Sequence, residues 1–439
     1  LKQQRGGGGR RAGPLREELR IESLAAGGAG VARRAGGEVV LVPRAAPGDR
    51  VEAEIDPGSK PAIGRVLRVI EPGPDRVEPP CPFVEACGGC DWMHLAPGAQ
   101  AEAHAEIVRA AIAHAVGGAD LPAIRVHPAP AAIAYRTRAR LFLKAGRGGV
   151  RVGYRAPGSH AVAAIDACMV LDPVLAPLVG DLARVIAGAS GEGDAQIGRG
   201  RGGLPVASIG WRGELPPGAW AALDERVRGG AWAGAEVTLA GAGKPAVFGD
   251  PRPVLEGADG APLVIAAGGF AQPSDAGAAI LARRADELSR APVGGKPPPR
   301  RVVELFAGSG TLSVLLARGA ESYAAVELDA ASCAAARENL AARGIPARVV
   351  AADADAFVIP PSATVVVLDP PRAGAAGAAR AIAASGARAV VYVACDPPTL
   401  ARDLGVMTRG RLAITDVETF ELFPQTSHVE TVVRLERTR

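Results

Sequence analysis

The chain has 439 residues, 48% hydrophobic and 22% charged, enough for two or three domains with cores of their own. Its 50 Lys+Arg against 46 Asp+Glu leave a formal charge of +4, which excludes a histone-like polycation. Six cysteines in this length exclude a disulfide scaffold.

The excess charge is local. Lys2, Arg5, Arg10, Arg11, Arg16 and Arg20 face only Glu17 and Glu18, so the first twenty residues carry the whole excess and the rest is balanced. A Gly-Arg tract stands where a signal peptide has its apolar core, and no apolar run is long enough to span a membrane. A soluble, cytoplasmic protein is expected. Residues 1–14 read as a disordered basic tail, either solvated or touching RNA.

Residues 15–73 read as a small β-barrel. Short β-branched segments at 19–24, 38–42, 51–55 and 62–69 are punctuated by Gly27-Gly28, Gly36-Gly37, Pro47-Gly48 and Pro57-Gly58. Such a partly open barrel serves equally as a nucleic-acid platform or as a structural module. A Pro-rich connector, 71–80, leads into a second segment, 74–265. There Cys81, Cys87 and Cys90 fall within ten residues, a spacing that points to a metal or a cluster. A helix over 102–116 and short strands over 134–170 follow, with Arg136, Arg138, Arg140 and Lys144 in the first strand. The Gly-rich stretch 186–265 reads only as mixed α/β.

From 266 to the end, a helix over 276–288 precedes strands at 301–306, 322–327, 347–351, 364–369 and 389–394. Helices between them indicate a parallel, doubly wound sheet. The last strands, 412–420 and 429–435, have no helix between them and suggest an antiparallel edge pair.

Chemistry gathers in this last segment. In RVVELFAGSGTLSVLLA (301–317) a strand meets a glycine turn and a helix, and Gly308 and Gly310 allow a ligand to approach the backbone. Glu327 closes the next strand, where a carboxylate takes two ribose hydroxyls. The phosphate fingerprint is incomplete, with Ser313 at its third glycine position, so a nucleoside cofactor without phosphates fits, as S-adenosylmethionine would. Asp353 ends the third strand, on the adenine side. Asp369-Pro370-Pro371-Arg372 ends the fourth, presenting a carboxylate rigidly. Cys395 ends the fifth as a candidate nucleophile. His428 and Glu430, two apart, would share one strand face and supply a base.

These residues resemble the RNA uracil-5-methyltransferases that carry an iron–sulfur cluster, in layout the bacterial type acting on large-subunit ribosomal RNA. The shared motifs are Cys81-x5-Cys87-Gly-Gly-Cys90, Phe270-x-Gln272, LFAGSGTLS, DPPRAG (369–374), ACDPPTLARD (394–403) and FPQTSHVE (423–430). The resemblance covers about 18 to 436. It implies a Rossmann-like S-adenosylmethionine-dependent domain (266–439), an OB-like TRAM barrel (15–73) and a mixed α/β iron–sulfur segment (74–265).

By the same resemblance Cys81, Cys87, Cys90 and Cys168 would ligate a 4Fe–4S cluster, although four thiolates also suit zinc. Gln272, Phe306, Glu327 and Asp369 match cofactor-site and pocket positions; Thr311 and Asp353 align more loosely. Cys395 is the implied nucleophile and Glu430 the implied base. Phe270 and Phe306 would wall the pocket for the extruded base, and Arg136, Arg138, Arg140 and Arg155 would contact phosphates. The partner is RNA, either 23S ribosomal RNA or transfer RNA; no protein partner or membrane is implied.

Four departures stand out. Asp396 replaces the usual Asn after the nucleophile, where negative charge disfavours a thiolate. Ser274 replaces Asn, and Glu304 and Glu421 replace Asp. Cys333 matches no motif and reads as a buried helix residue. Two competing readings are an exocyclic-amino methyltransferase, which needs no cysteine, and an RNA-binding iron–sulfur protein without catalysis.

Overall fold

In the computed structural model the described residues are 15–56, 58–118, 121–296 and 299–438. The predicted basic tail, 1–14, lies outside them. The chain divides into two compact units. The first holds the N-terminal residues to Pro80 with Cys90–Ala103 and Gln425–Ser427; the second holds Cys81–Gly89, His104–Pro424 and His428–Arg439. Residues 90–103 group with the barrel.

Five strands close the barrel of the first unit. They run in the order Leu15–Leu24, Gly30–Arg33, Val39–Val42, Ala62–Glu71 and Arg50–Asp56. The expected barrel was partly open; it closes because Leu15–Leu24 pairs along six residues with Arg50–Asp56. Strict alternation puts Val51, Ala53 and Ile55 inside with Leu19, Ile21, Val40 and Val42. At Gly64 a Cβ would lie 3.2 Å from a Val40 methyl and 3.3 Å from a Val42 methyl, so a larger residue would press on the crowded centre. Buried Asp49 accepts from the N–H groups of Ala46 (2.7 Å) and Gly73 (2.8 Å) and pairs with Arg76 (2.7 Å). In the same unit the Trp92 indole donates to Gly28 O at 2.9 Å, and Gln425 donates through its backbone to Gln100 at 2.9 Å.

Several basic side chains of the barrel are paired with acids. Arg33, Arg34, Arg50, Arg65 and Arg68 each lie against a glutamate of the barrel.

Two large sheets build the second unit. One has eight strands, ordered Arg348–Ala351, Ser322–Glu327, Arg301–Leu305, Val365–Leu368, Ala389–Ala394, Glu430–Arg437, Leu412–Phe420 and Ile124–His127. The first five are mutually parallel, and Glu430–Arg437 runs antiparallel to both its neighbours. The doubly wound sheet and its antiparallel pair are thus present. Ile124–His127, unforeseen, adds a parallel strand outside that pair.

Central strands are apolar throughout because both faces are covered. Val366, Leu368, Val390 and Tyr392 pack on one side with Ile382, Leu400 and Leu404; Val365, Val367, Val391 and Val393 pack on the other with Leu281, Leu288 and Leu316. Val108 and Ile112, from the helix Pro97–Ala115, join the first of these cores.

The Gly-rich middle of the chain forms a seven-stranded, mostly antiparallel sheet containing Arg138–Gly146, Gly149–Arg155, Ser190–Arg199 and Pro205–Glu214. Its core includes Leu141, Leu143, Ile197, Ile209, Trp211 and Trp232. Among the described residues no helix is long and apolar enough to cross a membrane.

Candidate active site

Three neighbouring strands deliver the reactive side chains. Leu368 pairs with Tyr392, and Ala394 pairs with Thr431. One residue beyond these pairs, Asp369 and Cys395 leave the carboxyl ends of their strands, and antiparallel Glu430 enters beside them. Register alone therefore gathers a thiol and two carboxyls at the edge where open α/β sheets bind ligands.

Electrostatics confirm their closeness. Burial pushes the Cys395 thiol up to about 12, and the charges of Glu430 and Asp369 add to this; Arg372 opposes it, and Asp396 contributes least. Glu430 is 1% exposed. Its carboxyl is raised well above the usual range, first by burial and then by Asp369. Asp369 is likewise raised by burial. The side-chain amide of Gln272, itself buried, stabilises both carboxylates by hydrogen bonding. Gln272 Oε1 and Glu430 Oε2 are buried without a protein partner, which leaves an acceptor on each for a ligand.

Asp396 is turned into a helix cap. Its Oδ1 accepts from the backbone N–H of Thr399 and from its hydroxyl, both at 2.9 Å, at the start of Pro397–Arg409. On the same helix, buried Asp403 accepts from Ala375 N (2.7 Å) and the Tyr392 hydroxyl (2.7 Å), while Thr399 donates to Arg372 O at 3.1 Å. These bonds fasten the Asp-Pro-Pro-Arg loop. A Cβ on Gly374, at φ 75°, would sit 2.4 Å from Arg402 and 2.7 Å from Asp403.

The glycine turn supplies a second cradle. Phe306 holds φ 60°, rare for a side chain of this size, followed by Gly308 (φ 55°) and Gly310 (φ 90°). Glu327 accepts from Gly308 N at 2.9 Å with one oxygen and from Asp329 N at 2.8 Å with the other. Each oxygen keeps a lone pair for a ribose hydroxyl. Under the turn, buried Glu304 accepts from Ser313 (2.9 Å) and from the Tyr323 hydroxyl, and burial raises it to about 7. Phe270, Gln272, Glu304, Phe306, Thr311 and Asp369 line one pocket beside this turn. A nucleoside–amino-acid sulfonium fits this donor set: a carboxylate for its diol, an orphaned amide oxygen for its ammonium, and no phosphate-binding lysine.

Other expectations fare differently. Asp353 is exposed and caps the short turn Ala354–Ala356 by accepting from Asp355 N; it does not line the Gln272 pocket. His428 does not share a strand face with Glu430, because the strand begins only at Glu430. The preceding turn, with Gln425 at φ 72°, delays it, and His428 instead accepts from Arg372 at 2.7 Å. Phe270 is 73% exposed. Cys333 is buried in the helix Ala330–Ala341.

The four arginines expected on phosphates each have a neighbour within the protein. Arg140 pairs with Asp194 (2.8 Å), Arg155 lies 4.0 Å over the Phe142 ring, and Arg136 lies 5.9 Å from the Tyr135 ring. Arg138 is internal and pairs with Asp275 at 2.6 Å, so its phosphate role is corrected. Asp275, Asp403 and Asn339 went unnoticed in the sequence. Asn339 links Val264 to the glycine turn, donating to Ser309 O at 2.8 Å. Asp403 closes the ACDPPTLARD motif without having been singled out, and Asp275 and Asn339 lie outside the quoted motifs.

Cys81, Cys87, Cys90 and Cys168 are all half-buried and in no disulfide. Cys168 lies 4.0 Å from the Tyr154 hydroxyl, and Cys87 accepts from Gly89 N at 3.4 Å. Among the described residues no three His, Cys, Asp or Glu side chains converge as a metal site. The donor type fits a thiolate-bound metal or cluster.

Comparison with known proteins agrees with this geometry. A family model described as tRNA (Uracil-5-)-methyltransferase matches residues 360–438. An RNA methyltransferase of Gloeobacter violaceus is 32% identical over 440 residues, covering 95% of each chain. The 23S rRNA (uracil(1939)-C(5))-methyltransferase RlmD of Chromohalobacter salexigens is 32% identical over 470 residues, covering 100% of this chain and 93% of its own. Among solved structures, the Pyrococcus abyssi tRNA (uracil-54, C5)-methyltransferase bound to S-adenosyl-L-homocysteine superposes with a TM-score of 0.72 at 22% identity, covering 95% of this chain and 99% of that one. The chain belongs to the S-adenosylmethionine-dependent RNA uracil-5-methyltransferase family.

Proposed function

We propose that this protein methylates C5 of a uridine in 23S ribosomal RNA through a covalent bond between Cys395 and C6. The observation that carries the reading is the meeting of Cys395, Asp369 and Glu430 at three adjacent strand ends. The ribosomal target rests on relatives named for it that align over essentially the whole chain.

S-Adenosylmethionine supplies an electrophilic methyl on a sulfonium. Uracil C5 is too weak a nucleophile to take it unaided. Cys395, its proton released to solvent, adds through sulfur to C6, and the resulting enolate places electron density on C5. Asp369 accepts from the ring N3–H and fixes the base edge. After methyl transfer, Glu430 removes the C5 proton, the C6–S bond breaks, and Cys395 leaves as thiolate. Phe270 and Phe306 stack against the uracil, which must leave its own stack at a cost of a few kcal/mol. Glu327 holds the ribose of the methyl donor, Gln272 its amino-acid end, and Asp353 faces its adenine side.

The barrel is read as a TRAM-like RNA-binding module. Cys81, Cys87, Cys90 and Cys168 are read as ligands of a 4Fe–4S cluster, supported by their spacing and by the absence of a disulfide at any of the four. Protein purified without air should be brown, with a broad band near ~400 nm. Colourless protein carrying stoichiometric zinc would overturn the cluster.

Mapping 5-methyluridine in ribosomal and transfer RNA from a deletion strain tests the target. The expected result is loss at one 23S position, restored by the wild-type gene and not by Cys395→Ala. Loss in transfer RNA alone would move the substrate there.

A further inference from the structure

Gln272 touches both reactive carboxylates, yet it sits in an irregular loop, and something must hold that loop. The holder is an ion cluster whose arginines come from the seven-stranded sheet. Asp275 accepts from Arg138 at 2.6 Å, from Arg199 at 2.8 Å and from the Thr137 hydroxyl at 2.8 Å. Arg138 uses a second nitrogen to donate to the backbone carbonyl of Gln272, and Thr137 N donates to Pro273 O at 2.9 Å. Next door, Ser274 caps the helix Asp275–Arg290 by accepting from Gly277 N at 3.0 Å. Arg138 and Asp275 are nearly shielded from water, with side-chain exposures of 11% and 13%. A planar guanidinium is required here, because only a fork reaches a carboxylate and a carbonyl together.

We infer that Arg138 and Asp275 are positioning residues for the methyl transfer: through the Gln272 carbonyl they fix the amide that bridges Asp369 and Glu430. The inference rests on the proposed reaction, in which Glu430 is the base. The groups acting on Glu430 are Asp369, Gln272 and Arg372, with Cys395 adjoining and Glu304 facing Asp369.

Arg138→Lys keeps a positive charge for Asp275 but loses the fork. Displacing the amide removes a hydrogen bond that favours the ionised carboxylates, so their titration moves to higher pH. Expected are a kcat reduced at least ~10-fold, a KM for S-adenosylmethionine changed less than kcat, unchanged folding by circular dichroism, and an acid limb of the rate profile at higher pH. Asp275→Asn should act in the same direction, and Asp275→Glu should restore part of kcat. Infrared titration of the carboxyls, with Glu430 identified by its loss in Glu430→Gln, reads the same shift without RNA. It therefore separates failure of this inference from failure of the proposed function. An Arg138→Lys enzyme whose Glu430 titrates as in wild type, or whose rate falls only with its folded fraction, would overturn the inference.

Discussion

Asp396, the residue after the proposed nucleophile Cys395, spends its carboxylate on Thr399, accepting from both its backbone N–H and its hydroxyl at 2.9 Å. Its charge is consequently the smallest of the forces acting on the Cys395 thiol, behind burial, Glu430, Asp369 and Arg372. The acidic departure at this position is a helix cap beside the nucleophile.

Asn caps helices about as well as Asp. Asp396→Asn should leave kcat within about threefold and the melting temperature nearly unchanged. Asp396→Ala, which removes the cap, should lose about 1 kcal/mol of stability, read by denaturant unfolding. A large gain in rate with Asn would show that the charge restrains the thiol.

In the proposed reaction Glu430 acts after the methyl has moved, so removing it should stall the reaction late. Glu430→Gln is expected to accumulate a methylated protein–RNA adduct visible on denaturing gels, with release of 5-methyluridine at background. Methylated free RNA at the wild-type rate would assign the base elsewhere. In the wild type the buried carboxyl is raised and must ionise to act, so kcat should rise with pH on its acid side.

Glu304 carries a pH signature of its own. Burial raises it to about 7 against an ordinary 4.5. A folded carboxyl raised in this way is neutral on both sides of unfolding below pH 4.5, and its penalty grows as pH climbs to 7. Folding should therefore lose up to about 3 kcal/mol across that window. Glu304→Gln, which keeps an acceptor for Ser313 and Tyr323, should flatten the fall. Identical pH–stability curves for the two proteins would contradict the assignment.

Much of the site was legible because its motifs sit at strand ends. Runs such as Val365–Leu368 and Ala389–Ala394 are apolar at every position, which marks strands covered on both faces. The glycine turn and Cys395 follow such runs directly. Ile124–His127 was missed because it is short and half polar, and pairs only at the sheet's edge. The seven-stranded sheet hid among glycines and turns. Asp275 and Arg138 lie 137 positions apart in sequence, and no local pattern announces an ion pair over that distance. His428 was misplaced because a turn at Gln425 sets where the last strand begins.

The central claim is that Cys395 bonds covalently to the uracil it methylates. RNA containing 5-fluorouridine, incubated with the protein and S-adenosylmethionine, blocks proton removal at C5 and should trap that bond. Mass spectrometry of the digested complex should find methylated fluorouridine on the peptide bearing Cys395, and none with Cys395→Ala. Continued methylation of ordinary RNA by Cys395→Ala would contradict the mechanism.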